Sequence, residues 1–201
     1  NLNRQLLATQ ETLGQLKTEA MSARLRSINP GISLTPVSRR FDQDSADELL
    51  AYPADIVVDA IDTLSFKARL IEMCMLRQQP IITSMGAGGK LDPSRVRLAD
   101  LFETRGCPLA RMVRKRLRRR GVGNGVPAVY SDESPILPPP APTSDGVSQQ
   151  PDDALAKSPP GTISYMPAIF GMHCAAYVIR WLLRDLDFPR RGSTRKETRH
   201  S

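Results

Sequence analysis

The run from Ala54 to Ile61 is short, apolar and rich in β-branched residues, and it closes on an acidic residue, Asp62. Such a segment suits a parallel strand covered by helices on both faces. The pattern then switches period. Phe66, Leu70, Met73, Cys74 and Arg77 mark one helical face, and Pro80-Ile81-Ile82-Thr83 opens another strand. Upstream, Leu13, Leu16, Ala20 and Ala23 share one side of a helix between Thr12 and Ile28. Asn29-Pro30-Gly31 ends it, because proline lacks the next amide donor. Ile32 to Val37 alternates apolar and polar, which predicts a half-buried strand. Ser45 and Glu48 have capping-box spacing for a short helix through Leu50. Alternation of this kind predicts a doubly wound, mostly parallel α/β sheet of Rossmann-like type.

Further along, Val96–Asp100 and Val126–Tyr130 read as two more strands, with a basic helix from Pro108 to about Arg120 between them. A chain of 201 residues with 40% hydrophobic content can build one sizeable core. Residues 1–133 are therefore read as one α/β domain and 134–160, rich in Pro, Ser and Asp, as a flexible linker. Residues 161–186 are expected to form a helix packed on the domain, and 187–201 a disordered basic tail. Thr162–Leu183 is the most apolar stretch but contains Pro167, His173 and Arg180. An ionised arginine near mid-membrane costs about 2.5–3.5 kcal/mol, so a helix buried on the sheet is preferred to a membrane span. The net charge of +7 favours a polyanionic partner, nucleic acid ahead of membrane. Cys74, Cys107 and Cys174 form no CxxC pair, which fits a reducing cytoplasm and provides no four-cysteine zinc site.

Asp62 is the first candidate for chemistry. Ligands of open α/β sheets bind beyond the carboxyl ends of the strands, and a carboxylate there can hold magnesium. The alternative is that Asp62 or Ser65 caps the helix beginning near Phe66. Asp59, earlier in the strand, is expected to be structural. Arg4 and Lys17 are cations of the kinds that suit negative charge on phosphate oxygens, although exposed cations are common and usually solvated. In the basic helix, Arg111, Arg114, Lys115, Arg118 and Arg119 have almost no compensating acids, and they predict RNA contact that positions more than it reads. Gly86-Ala87-Gly88-Gly89 is read as a substrate-side loop, and Cys107, beside arginines, as a thiol of lowered pKa if exposed.

Four stretches carry a resemblance: Asn1-Leu2-Asn3-Arg4-Gln5, Gly14-Gln15-Leu16-Lys17, Arg26-Ser27-Ile28-Asn29-Pro30 and Asp59-Ala60-Ile61-Asp62. In that order they resemble the ubiquitin-activating-like adenylating family (ThiF, MoeB and HesA). Asp59–Asp62, Gly86–Pro93 and Pro108-Leu109-Ala110-Arg111 with its arginine-rich helix look most like the tRNA threonylcarbamoyladenosine dehydratases of that family. The resemblance implies ATP and magnesium as cofactors, tRNA as partner and a homodimer. It also implies nucleotide contacts from Asn1, Asn3, Arg4 and Gln5, phosphate contact from Lys17, and magnesium and α-phosphate contact from Asp62 with Thr63. The glycine-rich loop and acidic ribose ligand that open the family's fold are not among these residues. An N-terminally truncated sheet is expected, with ATP affinity severely impaired if this is the whole protein. The rival readings are an activating enzyme of a ubiquitin-like or sulfur-carrier protein, and a non-catalytic RNA-binding remnant.

Overall fold

The computed structural model describes residues 1–136 and 161–186. Four strands, β1 (Val57–Asp59), β2 (Ile81–Ser84), β3 (Val96–Asp100) and β4 (Pro127–Ser131), form one sheet in the order β1-β2-β4-β3. β1, β2 and β4 run parallel, and β3 pairs antiparallel with β4 at the far edge. Because strand side chains alternate, each strand feeds two cores. Ile81, Ala128 and Tyr130 face α3 (Leu64–Leu76) and α4 (Pro108–Arg118). Ile82, Val96 and Val129 face the opposite layer, where Met166, Phe170 and Cys174 project from α5 (Tyr165–Leu182). The sheet is thus covered by helices on both faces, as the sequence pattern requires. No helix among the described residues is long and apolar enough to cross a membrane.

Three expectations need correction. Ile32–Val37 forms no strand: a strand exists only where a neighbour completes its ladder, and β1 pairs with β2 alone among the described residues. The helix α1 begins at Lys17, not Thr12, and contributes to neither core. In α2 (Ala46–Leu49), Ser45 precedes the helix without capping it through its side chain. Its hydroxyl instead donates to the Arg40 carbonyl at 2.7 Å and accepts from the Asp42 amide at 2.9 Å. The expected proline-rich linker lies mostly, and the basic tail entirely, outside the described residues.

The glycine cluster is a fastening. Lys90 is buried, and its ammonium donates to the carbonyls of Gly106 and Glu133, with Ser131 slightly farther away. Burial pushes this amine below the ordinary lysine value, opposed by Cys107, Glu133 and Asp132 and helped by Arg95. The Glu133 carboxylate accepts from the amides of Leu91 and Asp92, while Tyr165 donates to the Leu91 carbonyl at 2.8 Å. Gly89 exchanges main-chain hydrogen bonds with Gly161 and Ile136, joining this loop to the start of α5.

Gly89 has φ +68°, and a Cβ there would stand 2.6 Å from the Ile136 carbonyl oxygen. Neither condition suits any other residue. Gly89→Ala is expected to destabilise the fold by about 1–3 kcal/mol, read as a lowered urea midpoint. An unchanged midpoint would mean that the loop is free to move.

Candidate functional site

The carboxyl end of β1 is held by a buried ion pair. Asp59 stands directly across from Thr83 on β2, and both point toward α3. Lys67, in the first turn and a half of α3, reaches back between them; its side chain and that of Asp59 are completely buried. Its Nζ lies 2.7 Å from Asp59 Oδ2 and 3.1 Å from Thr83 Oγ1, and Thr83 Oγ1 donates to the same Asp59 oxygen at 2.5 Å. Burial lowers the Lys67 pKa, opposed by Asp59 and, more weakly, by Cys174 and Asp62. The other oxygen, Asp59 Oδ1, accepts the Ile61 amide at 2.9 Å. Residues 60–63 thereby make a pinned turn between strand and helix. Asp62 and Thr63 are its exposed tip, with the Thr63 hydroxyl 3.3 Å from Asp62 Oδ1. Neither Asp62 nor Ser65 caps α3; Thr63 occupies the cap position without a side-chain bond.

On the opposite face of the same strand ends lies a cleft of ≈ 600 Å³, bounded by Val58, Ala60, Ser84 and Ala87 on one side and α5 on the other. Gln5 forms its lip. The Gln5 side-chain carbonyl is buried without a hydrogen-bond partner among the described residues, an acceptor that a ligand donor could fill. Next to it, Arg4 donates to the side-chain oxygens of Asn3 at 2.8 Å and Asn1 at 3.3 Å. Asn3 in turn donates to the Thr162 carbonyl at 3.0 Å, just ahead of α5. The structure therefore brings two of the three expected segments to one cleft: Gln5, next to Arg4, and Ala60, two residues before Asp62. Lys17, exposed at the start of α1, neither lines the cleft nor bonds to either segment among the described residues.

A magnesium ion would find one exposed carboxylate, Asp62, beside a hydroxyl. No group of three His, Cys, Asp or Glu side chains that could hold a metal occurs among the described residues. One carboxylate completed by phosphate oxygens is a normal magnesium donor set, so the residues fit the ion in a nucleotide complex.

The basic helix divides into two faces. Ala110, Val113 and Leu117 are buried against the sheet, and Arg111, Lys115 and Arg119 are exposed. Arg114 turns inward: its guanidinium donates to the Thr104 carbonyl at 2.9 Å and to the Thr104 hydroxyl, and burial lowers its pKa. Arg118 is exposed with its guanidinium 5.4 Å from the centre of the Phe102 ring. Cys107, at the start of the helix, is buried, as are Cys74 and Cys174. Burial raises the Cys74 thiol to about 11, and it also raises Cys174.

Residues 1–199 match the ThiF family. The chain belongs to that family. Among its relatives, the tRNA threonylcarbamoyladenosine dehydratase of Bacillus subtilis (strain 168) is 35% identical over 190 residues, covering 94% of this chain and 75% of its own. The crystal structure of E. coli tRNA N6-threonylcarbamoyladenosine dehydratase, TcdA, in complex with ATP superimposes with a TM-score of 0.77 at 30% identity. That match covers 92% of this chain and 72% of TcdA. The molybdopterin-synthase adenylyltransferase of Salmonella typhimurium (strain LT2), 37% identical, aligns with only 41% of this ThiF-family chain and 33% of itself.

Lys67 and Thr83, the residues that fix the Asp62 turn, were not anticipated from the sequence. Lys67 had a visible signal, since it occupies the same helical side as Leu70, Ile71 and Cys74, where an amine needs a buried partner. In α4, the inward bonds of Arg114 predict that Arg114→Ala costs about 1–3 kcal/mol of stability in chemical denaturation, whereas Arg111→Ala costs under about 0.5 kcal/mol. Equal effects would contradict the two-faced assignment.

Proposed function

We propose that this chain is an ATP-dependent tRNA threonylcarbamoyladenosine dehydratase. The observation that carries this reading is its likeness, over nearly its full length, to relatives of that name. Relatives that adenylate sulfur-carrier or molybdopterin-synthase proteins align with less than half of it, 41% to 45%. In the proposed reaction, a carboxylate oxygen of the threonyl group attacks the α-phosphorus of ATP and pyrophosphate leaves. The amide nitrogen of the same modification then attacks the acyl adenylate. AMP departs, a proton is lost from nitrogen, and the ring closes.

The ATP phosphates would lie between the Asn1–Gln5 turn and the Asp62–Thr63 tip. Arg4 is already oriented by Asn1 and Asn3 and would meet the charge developing on the phosphate oxygens. Asp62 with Thr63 would hold magnesium, which supplies charge neutralisation of the phosphates when bound. Gln5 would accept a hydrogen bond from the ligand through its unfilled carbonyl, which offsets the cost of leaving that group buried and unpaired. Lys17 would join this set only if α1 moves toward the cleft on nucleotide binding. The tRNA backbone would rest on Arg111, Lys115, Arg118 and Arg119, with Arg114 kept for the fold. A homodimer would cover the outer side of α5, where Met172 and Leu182 are exposed.

With threonylcarbamoyladenosine-bearing tRNA, the protein is expected to release AMP from ATP, and Asp62→Ala to reduce that release by at least about 100-fold. AMP release independent of the modified tRNA would reject the substrate assignment. Replacing Arg111, Lys115 and Arg119 together by Ala should weaken tRNA binding and flatten its dependence on log salt by about 2. An unaltered salt slope would remove the helix from the RNA interface.

A further inference from the structure

Asp59 and Lys67 are a fully buried ion pair that touches neither solvent nor the cleft. A pair of this kind is poor at stabilising a fold, since apolar side chains of equal volume commonly do as well. Its geometry has another consequence. Its polar atoms tie three elements together: Oδ1 accepts the Ile61 amide in the turn, Oδ2 accepts the Thr83 hydroxyl of β2, and Nζ reaches Asp59 and Thr83 from α3. Lys67 also donates its own main-chain amide to the Thr63 carbonyl at 2.9 Å. The short turn that carries Asp62 is therefore gripped at its start through the Asp59–Lys67 pair and at its end by the first main-chain bond of α3. Ile61 also packs against the first core, while Ala60, Asp62 and Thr63 are exposed, so the polar bonds of Asp59 set the orientation of the tip.

We infer that Lys67 is a positioning residue, which acts through Asp59 to fix the turn presenting Asp62 and Thr63 to the nucleotide. This rests on the proposed role of Asp62. With the lysine in place, the Asp59 carboxylate cannot rotate without breaking two buried bonds, so the Ile61 amide stays fixed. With Lys67 removed, Oδ2 keeps only Thr83, and the carboxylate is free to turn away from Ile61. The Asp62 tip then samples several positions.

Two readouts test this on the whole chain. The first is native-state hydrogen exchange without ligand. In Lys67→Met, the protection of the Ile61 amide is expected to fall at least about 10-fold further than that of the β4 amides, which report the global loss of stability. Should Lys67→Met fail to fold, the charge-neutral double variant Asp59→Asn/Lys67→Met is read in the same way. The second is coupling. Lys67→Met should lower AMP formation at saturating ATP by about 10–100-fold, yet add nothing in an Asp62→Ala background, because both changes disable one device. Lys67→Arg should recover part of the loss. Ile61 protection that falls no further than that of β4, or a full additional loss in the Asp62→Ala background, overturns the inference while leaving the proposed function standing. Failure of the function itself looks different: the parent protein forms no AMP, and Ile61 exchange alone then decides the role of Lys67.

Discussion

Asp59 accepts hydrogen bonds from three separate elements: the Ile61 amide in the turn after β1, the Lys67 ammonium on α3 and the Thr83 hydroxyl on β2. Withdrawing one charge from such a pair strands the other in the interior, a loss of about 3–5 kcal/mol. The strand end is consequently a fixed point. From it the chain can project an acidic tip into solvent without loosening the sheet. The first core is packed around it, with Ala68, Leu70 and Ile71 following Lys67 along α3.

The two faces of the sheet have separate duties that meet at this point. The α3 and α4 face supplies rigidity and, on the outer side of α4, the exposed cations Arg111, Lys115 and Arg119, which form no salt bridge among the described residues. The α5 face leaves open a cleft whose lip, Gln5, comes from the first residues of the chain. The loop at Gly86–Asp92 joins the two, since Lys90 and Glu133 fasten it to the segment after β4 while Gly89 and Tyr165 fasten it to the α5 end. The proposed reaction, which brings a large RNA to a small nucleotide, would use such a division: a broad charged surface for the polyanion and a stiff recess for the phosphates.

Much of this was legible in the sequence because it depends on period and punctuation. The β-branched run into Asp62, the apolar spacing of α3 and the strands at Ile81, Val96 and Val126 follow from local pattern, and they appear within a few residues of where the pattern puts them. Ile32–Val37 shows where local pattern fails. Its alternation is genuine, but a strand is completed by a neighbour that no window of residues can supply. Arg114 fails for a related reason, since helical spacing groups it with Arg118 while the carbonyls that claim it come from Thr104. Lys67 was hidden because lysines are usually read as solvated, and only the approach of Asp59 across the strand–helix turn gives it a partner. The candidate segments Asn1–Gln5 and Asp59–Asp62 were singled out through family likeness, and the structure brings Gln5 of the first and Ala60 of the second to one cleft. Lys17 remains apart from it.

The most direct measurement is a crystal structure of this chain with ATP and magnesium bound. The account predicts the triphosphate against the Asp62–Thr63 turn, Arg4 and Gln5 on its other side, and Asp59 still bonded to Ile61, Lys67 and Thr83. A nucleotide bound elsewhere on the molecule, or one bound at this turn with the Asp59 bonds broken, would contradict it.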